Sequence, residues 1–158
     1  MDYLWSPWRY RYVAQEIPDQ GCVFCLKMQQ ANDEENLVLH RGVNNYVLLN
    51  LFPYTSGHLM IAPYSHIGQL SGLDDATWME MTALTRKAEQ ALQKVYRPEG
   101  INLGMNLGKS AGAGIAEHLH MHVLPRWHAD SNFISVIGET RVLPEVLTDT
   151  YRKLKPLF

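Results

Sequence analysis

The feature that most constrains the fold is a strict alternation late in the chain. Residues 117–124 read EHLHMHVL, with His118, His120 and His122 at every second position and Leu119, Met121 and Val123 between them. A strand sends successive side chains to opposite faces. The segment therefore predicts a strand with an apolar face towards a core and three imidazoles on the other, ended by Pro125. The apolar positions account for the strand but not for the histidines. Neutral imidazole is a metal ligand, a nucleophile and a proton carrier near neutral pH. Same-face neighbours on a strand stand about 6.5–7 Å apart, so one ring can hold a metal while the next faces a substrate. Three readings are open: three metal ligands, one nucleophile with two helpers, or three imidazoles on a solvated face.

The rest of the pattern gives this strand companions. Residues 36–41 (NLVLHR) and 46–50 (YVLLN) predict two strands joined by Gly-Val-Asn-Asn, a hairpin signal, and residues 57–62 (GHLMIA) a third strand stopped by Pro63. From Asp74 to Arg97 the period changes: Trp78, Met81, Leu84, Ala88, Leu92 and Val95 recur at three and four, one face of a helix. Asp74 or Asp75 can cap its start, and Pro98 with Gly100 stops it. Residues 101–107 predict a strand, residues 133–137 a further short one, and residues 144–155 a C-terminal helix with Pro144 at its first position. The expected fold class is α+β: an antiparallel sheet of about five strands with one long helix and a C-terminal helix. Residues 1–20 read as an aromatic N-terminal arm carrying Trp5, Trp8, Tyr10 and Tyr12, and residues 21–158 as a single domain. Rings in such an arm pack on their own domain or on a second subunit.

The net charge of −2 gives no sign of a general nucleic-acid or membrane binder, so an anionic ligand must be met by a local site. No apolar run approaches the roughly 18 residues of a membrane span, and the opening MDYLWSPWRYRY has no apolar signal core. The expectation is a cytoplasmic protein. Its two cysteines, Cys22 and Cys25 in GCVFC, are too close to staple a fold. As thiols they are core residues, a redox pair or metal ligands.

The loop before the histidines supplies the other half of a site. Glycines at 108, 112 and 114 let the backbone approach a ligand and turn N–H groups inward, and Lys109 and Ser110 can add donors. A glycine-rich loop running into three aligned histidines describes an anion beside a nucleophile, and phosphate is the natural anion.

HLHMHVL resembles the motif of the histidine triad family, in which histidines alternate with apolar residues and two apolar residues come after them. The likeness extends to LLNLFPYTSGHLMIAPYSH, similar to the family's ribose-binding strand and turn. It extends also to INLGMNLGKSAGAGIAEHLHMHVLPRW and NFISVIGETRVLP, similar to its phosphate loop and the segment beyond the triad. The opening LWSPWRYRY with CVFC looks like the bacterial branch described as diadenosine polyphosphate phosphorylases. The resemblance implies that His120 attacks the α-phosphate of a nucleotide, forming a nucleotidyl-phosphohistidine that water or inorganic phosphate resolves. This divides one hard displacement into two easier ones. Its attacking nitrogen must be neutral, so the other ring nitrogen is expected to donate to an acceptor, a backbone carbonyl. His122 would contact the phosphate or assist the leaving oxygen. Asn106 would lie near the α-phosphate, Asn50 on the ribose hydroxyls and His58 close to the site. Backbone N–H groups around Gly112, Gly114 and Ile115 would cradle the phosphate. Relatives often carry Ser or Thr three or four residues before the triad, where this chain has Gly114 and Ile115.

The resemblance also implies a structural zinc held by Cys22, Cys25, His66 and His118, a closed tetrahedral set with no open position for water. Relatives are mostly homodimers, so a homodimer is expected, with a small-molecule nucleotide as substrate and no nucleic acid or membrane partner. Two rivals remain. A zinc hydrolase using all three histidines would need a nearby carboxylate, and Glu117, the only close one, has core-side parity. A nucleotide-binding regulatory module with weak phosphoramidate hydrolase activity would carry the same site.

Overall fold

The computed structural model describes residues 21–128, 130, 137 and 143–158. The aromatic arm and residues 133–136 of the expected short strand lie outside the described residues; Ile137 is an exposed turn residue. Five antiparallel strands form one sheet: β1 (Val38–Arg41), β2 (Asn45–Leu49), β3 (Leu59–Pro63), β4 (Gly100–Gly104) and β5 (Met121–Arg126), in the order β1-β2-β3-β5-β4. Among the described residues three α-helices accompany them: α1 (Val23–Gln29), α2 (Asp75–Tyr96) and α3 (Leu147–Leu154). Among the described residues, no helix is long and apolar enough to cross a membrane.

Strand alternation divides the interior in two. Val47, Leu49, Leu59, Ile61 and Val123 point to one face, where Met81, Leu84, Ala88 and Leu92 of α2 and Tyr151 and Leu154 of α3 cover them. Tyr46, Leu48, Met60 and Ala62 point to the other, covered by Phe24 of α1. The α2 stripe is the one read from the sequence, with Trp78 and Val95 packed at its margin. Asp74 caps the helix by accepting the Thr77 N–H at 2.8 Å, and Arg97 ends it in the left-handed region. Glu80 of α2 accepts the N–H groups of Val43 and Asn44, both at 2.7 Å, which ties the β1–β2 hairpin to the helix.

Several boundaries differ from expectation, and four of them have a local reason. The strand expected over residues 117–124 begins only at Met121. The His118 ring takes the Pro63 carbonyl that a strand N–H would have used, and the Leu119 N–H goes to Ile67. Its far end runs through Pro125 to Arg126. β3 pairs no further along β5 than Val123, so there the missing N–H of proline costs no ladder bond. β4 ends at Gly104, opposite His122, because its partner strand starts there. The C-terminal helix begins at Leu147, not Pro144. Glu145 accepts from the Tyr96 and Thr150 hydroxyls and from Lys153, pinning the preceding segment against α2.

Candidate functional site

His118, His120 and His122 gather where the start of β5 meets the α1 face of the sheet. They are not solvated: their exposures are 0%, 7% and 8%. Only His122 belongs to the strand proper, opposite Met60 of β3 and Gly104 of β4. Val123 lies in the α2 core and Met121 packs against it, as the alternation requires, and Leu119 is buried as well. Phe24, inside the Cys-x-x-Cys segment, puts its ring 5.0 Å from both the His118 and His120 rings. A short helix therefore delivers two thiols and the apolar wall of the site.

His120 has its Nδ1 2.9 Å from the His118 carbonyl. A carbonyl only accepts, so Nδ1 carries the proton and Nε2 keeps a lone pair. Burial lowers the basicity of this ring, against the opposing pull of that hydrogen bond. The ring is therefore neutral and nucleophilic at Nε2.

The tautomer of His122 is set by a chain of donors. Asn50 accepts the Phe52 N–H on Oδ1 at 2.9 Å, which fixes its Nδ2 as the donor. That Nδ2 lies 3.3 Å from His58 Nδ1, and the Tyr54 N–H donates to the same nitrogen at 3.1 Å. His58 Nδ1 is thus an acceptor, and its proton sits on Nε2. That Nε2 lies 2.8 Å from His122 Nδ1, so His122 accepts there and carries its own proton on Nε2. His122 Nε2 is buried and has no partner among the described residues. A buried donor without a partner is costly, and this one stands beside the His120 ring, centroids 4.8 Å apart. Burial, helped by the neighbouring His120, lowers the His122 pKa to about 4, so the ring is neutral near pH 7. Gly57 makes the entry to this chain possible. Its φ is +82°, and a Cβ there would sit 3.0 Å from the Tyr96 ring and 3.1 Å from Leu92.

At the other end of the triad, Cys22, Cys25, His66 and His118 bring four ligand atoms within 4.8 Å of one another. Cys22 Sγ is 3.3 Å from His118 Nδ1, and Cys25 Sγ is 3.5 Å from His66 Nδ1 and 3.6 Å from His118 Nδ1. His118 Nε2 donates to the Pro63 carbonyl at 2.9 Å, which leaves Nδ1 as the lone-pair nitrogen facing the sulfurs. Burial and the neighbouring Cys22 raise the Cys25 thiol pKa.

The chain matches the HIT domain family model over residues 31–129. It belongs to the histidine triad (HIT) family. A relative in Mycobacterium tuberculosis called AP-4-A phosphorylase is 44% identical over 158 residues, covering 96% of this chain and 81% of that protein. A Schizosaccharomyces pombe bis(5'-nucleosyl)-tetraphosphatase (asymmetrical) is 29% identical over 93 residues, 59% of this chain and 50% of the other. Among solved structures, a zinc-bound histidine triad family protein from Mycobacterium smegmatis superposes with a TM-score of 0.69 at 26% identity, covering 87% of this chain and 92% of that one.

The four-residue cluster of this HIT protein fits a tetrahedral zinc. Zn–S bonds of about 2.3 Å and Zn–N bonds of about 2.0–2.1 Å set ligand-to-ligand edges of about 3.3–3.8 Å; the three sulfur–nitrogen separations above fall in that range, and all four ligand atoms lie within 4.8 Å of one another. A divalent cation would also reverse the raised thiol pKa by stabilising both thiolates. The rival with three histidine ligands does not fit, because His120 and His122 stand outside the cluster. Glu117, assigned core-side parity, is instead exposed and precedes the strand.

The nucleotide-binding expectations divide. Asn50 and His58 come together with His122. Asn106 is half-buried in the loop after β4. Gly112 is less suited to a cradle than expected: its N–H donates to the Lys109 carbonyl at 2.9 Å and that of Ala113 to Gly108 at 3.3 Å. Gly114 and Ile115 come directly after these closed turns, and Ile115 packs against the α1-side core. Sequence reasoning missed Phe24, Tyr54 and the Pro63 carbonyl. Phe24 had a signal, an apolar ring between two ligand-type cysteines. A backbone N–H or carbonyl leaves none.

Proposed function

We propose that this HIT protein cleaves diadenosine polyphosphates at an α-phosphate through a nucleotidyl-phosphohistidine on His120. The observation that carries the reading is the His120 Nδ1–H held on the His118 carbonyl at 2.9 Å, which aims a neutral Nε2 lone pair into the site. In the first step Nε2 bonds to the α-phosphorus and the bond from phosphorus to the bridging oxygen breaks. The leaving nucleoside polyphosphate departs with that oxygen, which receives a hydrogen bond from His122 Nε2–H. His58, fixed by Asn50 and Tyr54, keeps the donor proton on that side of His122. In the second step an acceptor oxygen attacks the phosphorus and the N–P bond breaks, returning His120. The 44% identical relative is called a phosphorylase, which supports inorganic phosphate as the acceptor. Asn106, Gly114 and Ile115 hold the α-phosphate, with Gly112 shaping the turn, and Asn50 and His58 border the nucleoside.

The same reading includes a structural zinc on Cys22, Cys25, His66 and His118, supported by the fit of those ligands to a tetrahedron. Bound there, zinc would neutralise the thiolates and tie α1 to the start of β5. Reduced thiol ligands suit a cytoplasmic location. A homodimer is supported by the outer edge of β4, an edge strand among the described residues, where Leu103 is 55% exposed. The arm, residues 1–20, and the domain, residues 21–158, keep their boundaries in this reading.

Incubation with diadenosine tri- and tetraphosphate, with and without inorganic phosphate, tests it. ADP that depends on added phosphate is the expected product. AMP in plain buffer would make the acceptor water. No product from any dinucleotide or phosphoramidate overturns the reading and leaves a nucleotide-binding regulatory module.

A further inference from the structure

The chemistry at His120 leaves one groove unused. Its walls are residues 68–71 on one side and 107–109 on the other, with Ala116 and Glu117 completing the lining. Its volume is about 520 Å³, and small-ligand sites commonly span roughly 300–1,000 Å³. The groove is anchored to the residues that lead into the triad. A Cβ on Gly68 would lie 2.7 Å from the Ala116 carbonyl oxygen and 3.0 Å from the Glu117 Cα, so the backbones touch there. The Leu119 N–H also donates to the Ile67 carbonyl at 2.7 Å. Glu117 and His120 are three residues apart, at most about 11 Å along the chain, within reach of a polyphosphate that starts at the nucleophile.

The lining has the chemistry of a nucleotide site. Leu70 and Leu107, one from each wall, are 39% and 47% exposed. Two aliphatic side chains on opposite walls suit a flat heterocycle. Among the described residues, Lys109 is the only cation of the lining and Glu117 the only anion. Glu117 disfavours a bare polyphosphate but accepts from the donors of a base or ribose. Lys109 meets a phosphate as a point charge. A nucleoside carrying its own phosphate satisfies both.

We infer that this groove binds the leaving half of a dinucleoside polyphosphate, the distal nucleoside between Leu70 and Leu107 and its phosphate on Lys109. The inference rests on the reaction proposed above and names the subsite that selects a two-nucleoside substrate over a simple nucleotide.

Steady-state kinetics with two substrates tests it. Diadenosine tetraphosphate has a distal nucleoside; adenosine 5'-phosphoramidate has none. Wild type turns over both. In Lys109→Ala the KM for diadenosine tetraphosphate rises about tenfold, the size of one lost charge-assisted contact; in Leu70→Asp, on the opposite wall, it rises while the KM for the phosphoramidate stays within about twofold. Leu107→Asp, at an exposed position, gives the same split by placing a second carboxylate on the apolar wall. Equal changes for both substrates, or no change for either, overturn the inference and leave the reaction intact. A wild type that turns over neither substrate removes the proposed reaction and this subsite with it.

Discussion

His118 and His122 flank the same residue, point to the same face and are both buried, yet they have opposite surroundings. Around His118 are two sulfurs, a second imidazole and the Pro63 carbonyl, so both of its nitrogens have partners. Around His122 are a second imidazole and a Tyr54 ring 6.0 Å away, and Nε2 has no described partner. The first set suits a metal corner that holds shape. The second suits a donor waiting for an oxygen that only substrate brings. His120 between them borrows from both: its Nδ1 is held by the His118 backbone, and its ring meets that of His122 edge to face. Identical side chains become unequal through what other elements place against them.

The comparison can be broken at its centre first. His120→Ala should lower kcat by about 10⁴-fold or more, as loss of a covalent nucleophile does, with nucleotide affinity largely kept by isothermal titration. Normal turnover by this variant would falsify the covalent route.

Breaking the His118 side should cost stability more than chemistry. Elemental analysis should find about one zinc per chain. Chelation or Cys25→Ser should lower the unfolding midpoint by on the order of 10 °C, several kcal/mol for a domain of this size. Metal-free protein that melts at the same temperature would remove the structural role.

The His122 side should show itself through pH. The ring titrates at about 4 when folded and about 6.5 when unfolded, so between these values the unfolded chain binds the extra proton. Stability contributed by the neutral ring is intact above pH 6.5. It falls as pH drops through that window, by about 3 kcal/mol in all at 1.36 kcal/mol per unit. Urea unfolding at pH 7 and pH 4.5 measures it, and His122→Asn should flatten the difference. The burial that lowers His120 should likewise put the acid limb of kcat/KM below 6.5.

The smallest effect sharpens the division of roles. His58→Ala removes the donor that fixes the His122 tautomer, so kcat should fall by roughly 10–100-fold, as for other orienting partners. KM and zinc content should change little. A loss of zinc in this variant would mean that the two ends of the triad are not separate.

Much of this was legible in the residues. The alternation of 117–124 determined that the histidines share a face and that Met121 and Val123 serve the core, because a strand has a period of two. The spacing from Trp78 to Val95 predicted the long helix, and Pro98 with Gly100 its stop, while the structure chose Asp74 over Asp75 as the cap. The motif likeness picked out Cys22, Cys25, His66 and His118 as one set, and the structure brings them within ligand distance of one another. Tertiary structure decided what depends on groups distant in sequence. The strand starts at Met121 because the His118 ring, not a backbone N–H, meets Pro63. The Gly112 N–H closes its own turn on Lys109. Above all, the protonation of His122 is set by His58, 64 positions away, and through it by Asn50 and the Tyr54 backbone. A sequence pattern carries the period of a side chain, but a tautomer is fixed by which nitrogen meets a donor, and only the packed fold brings that donor into place.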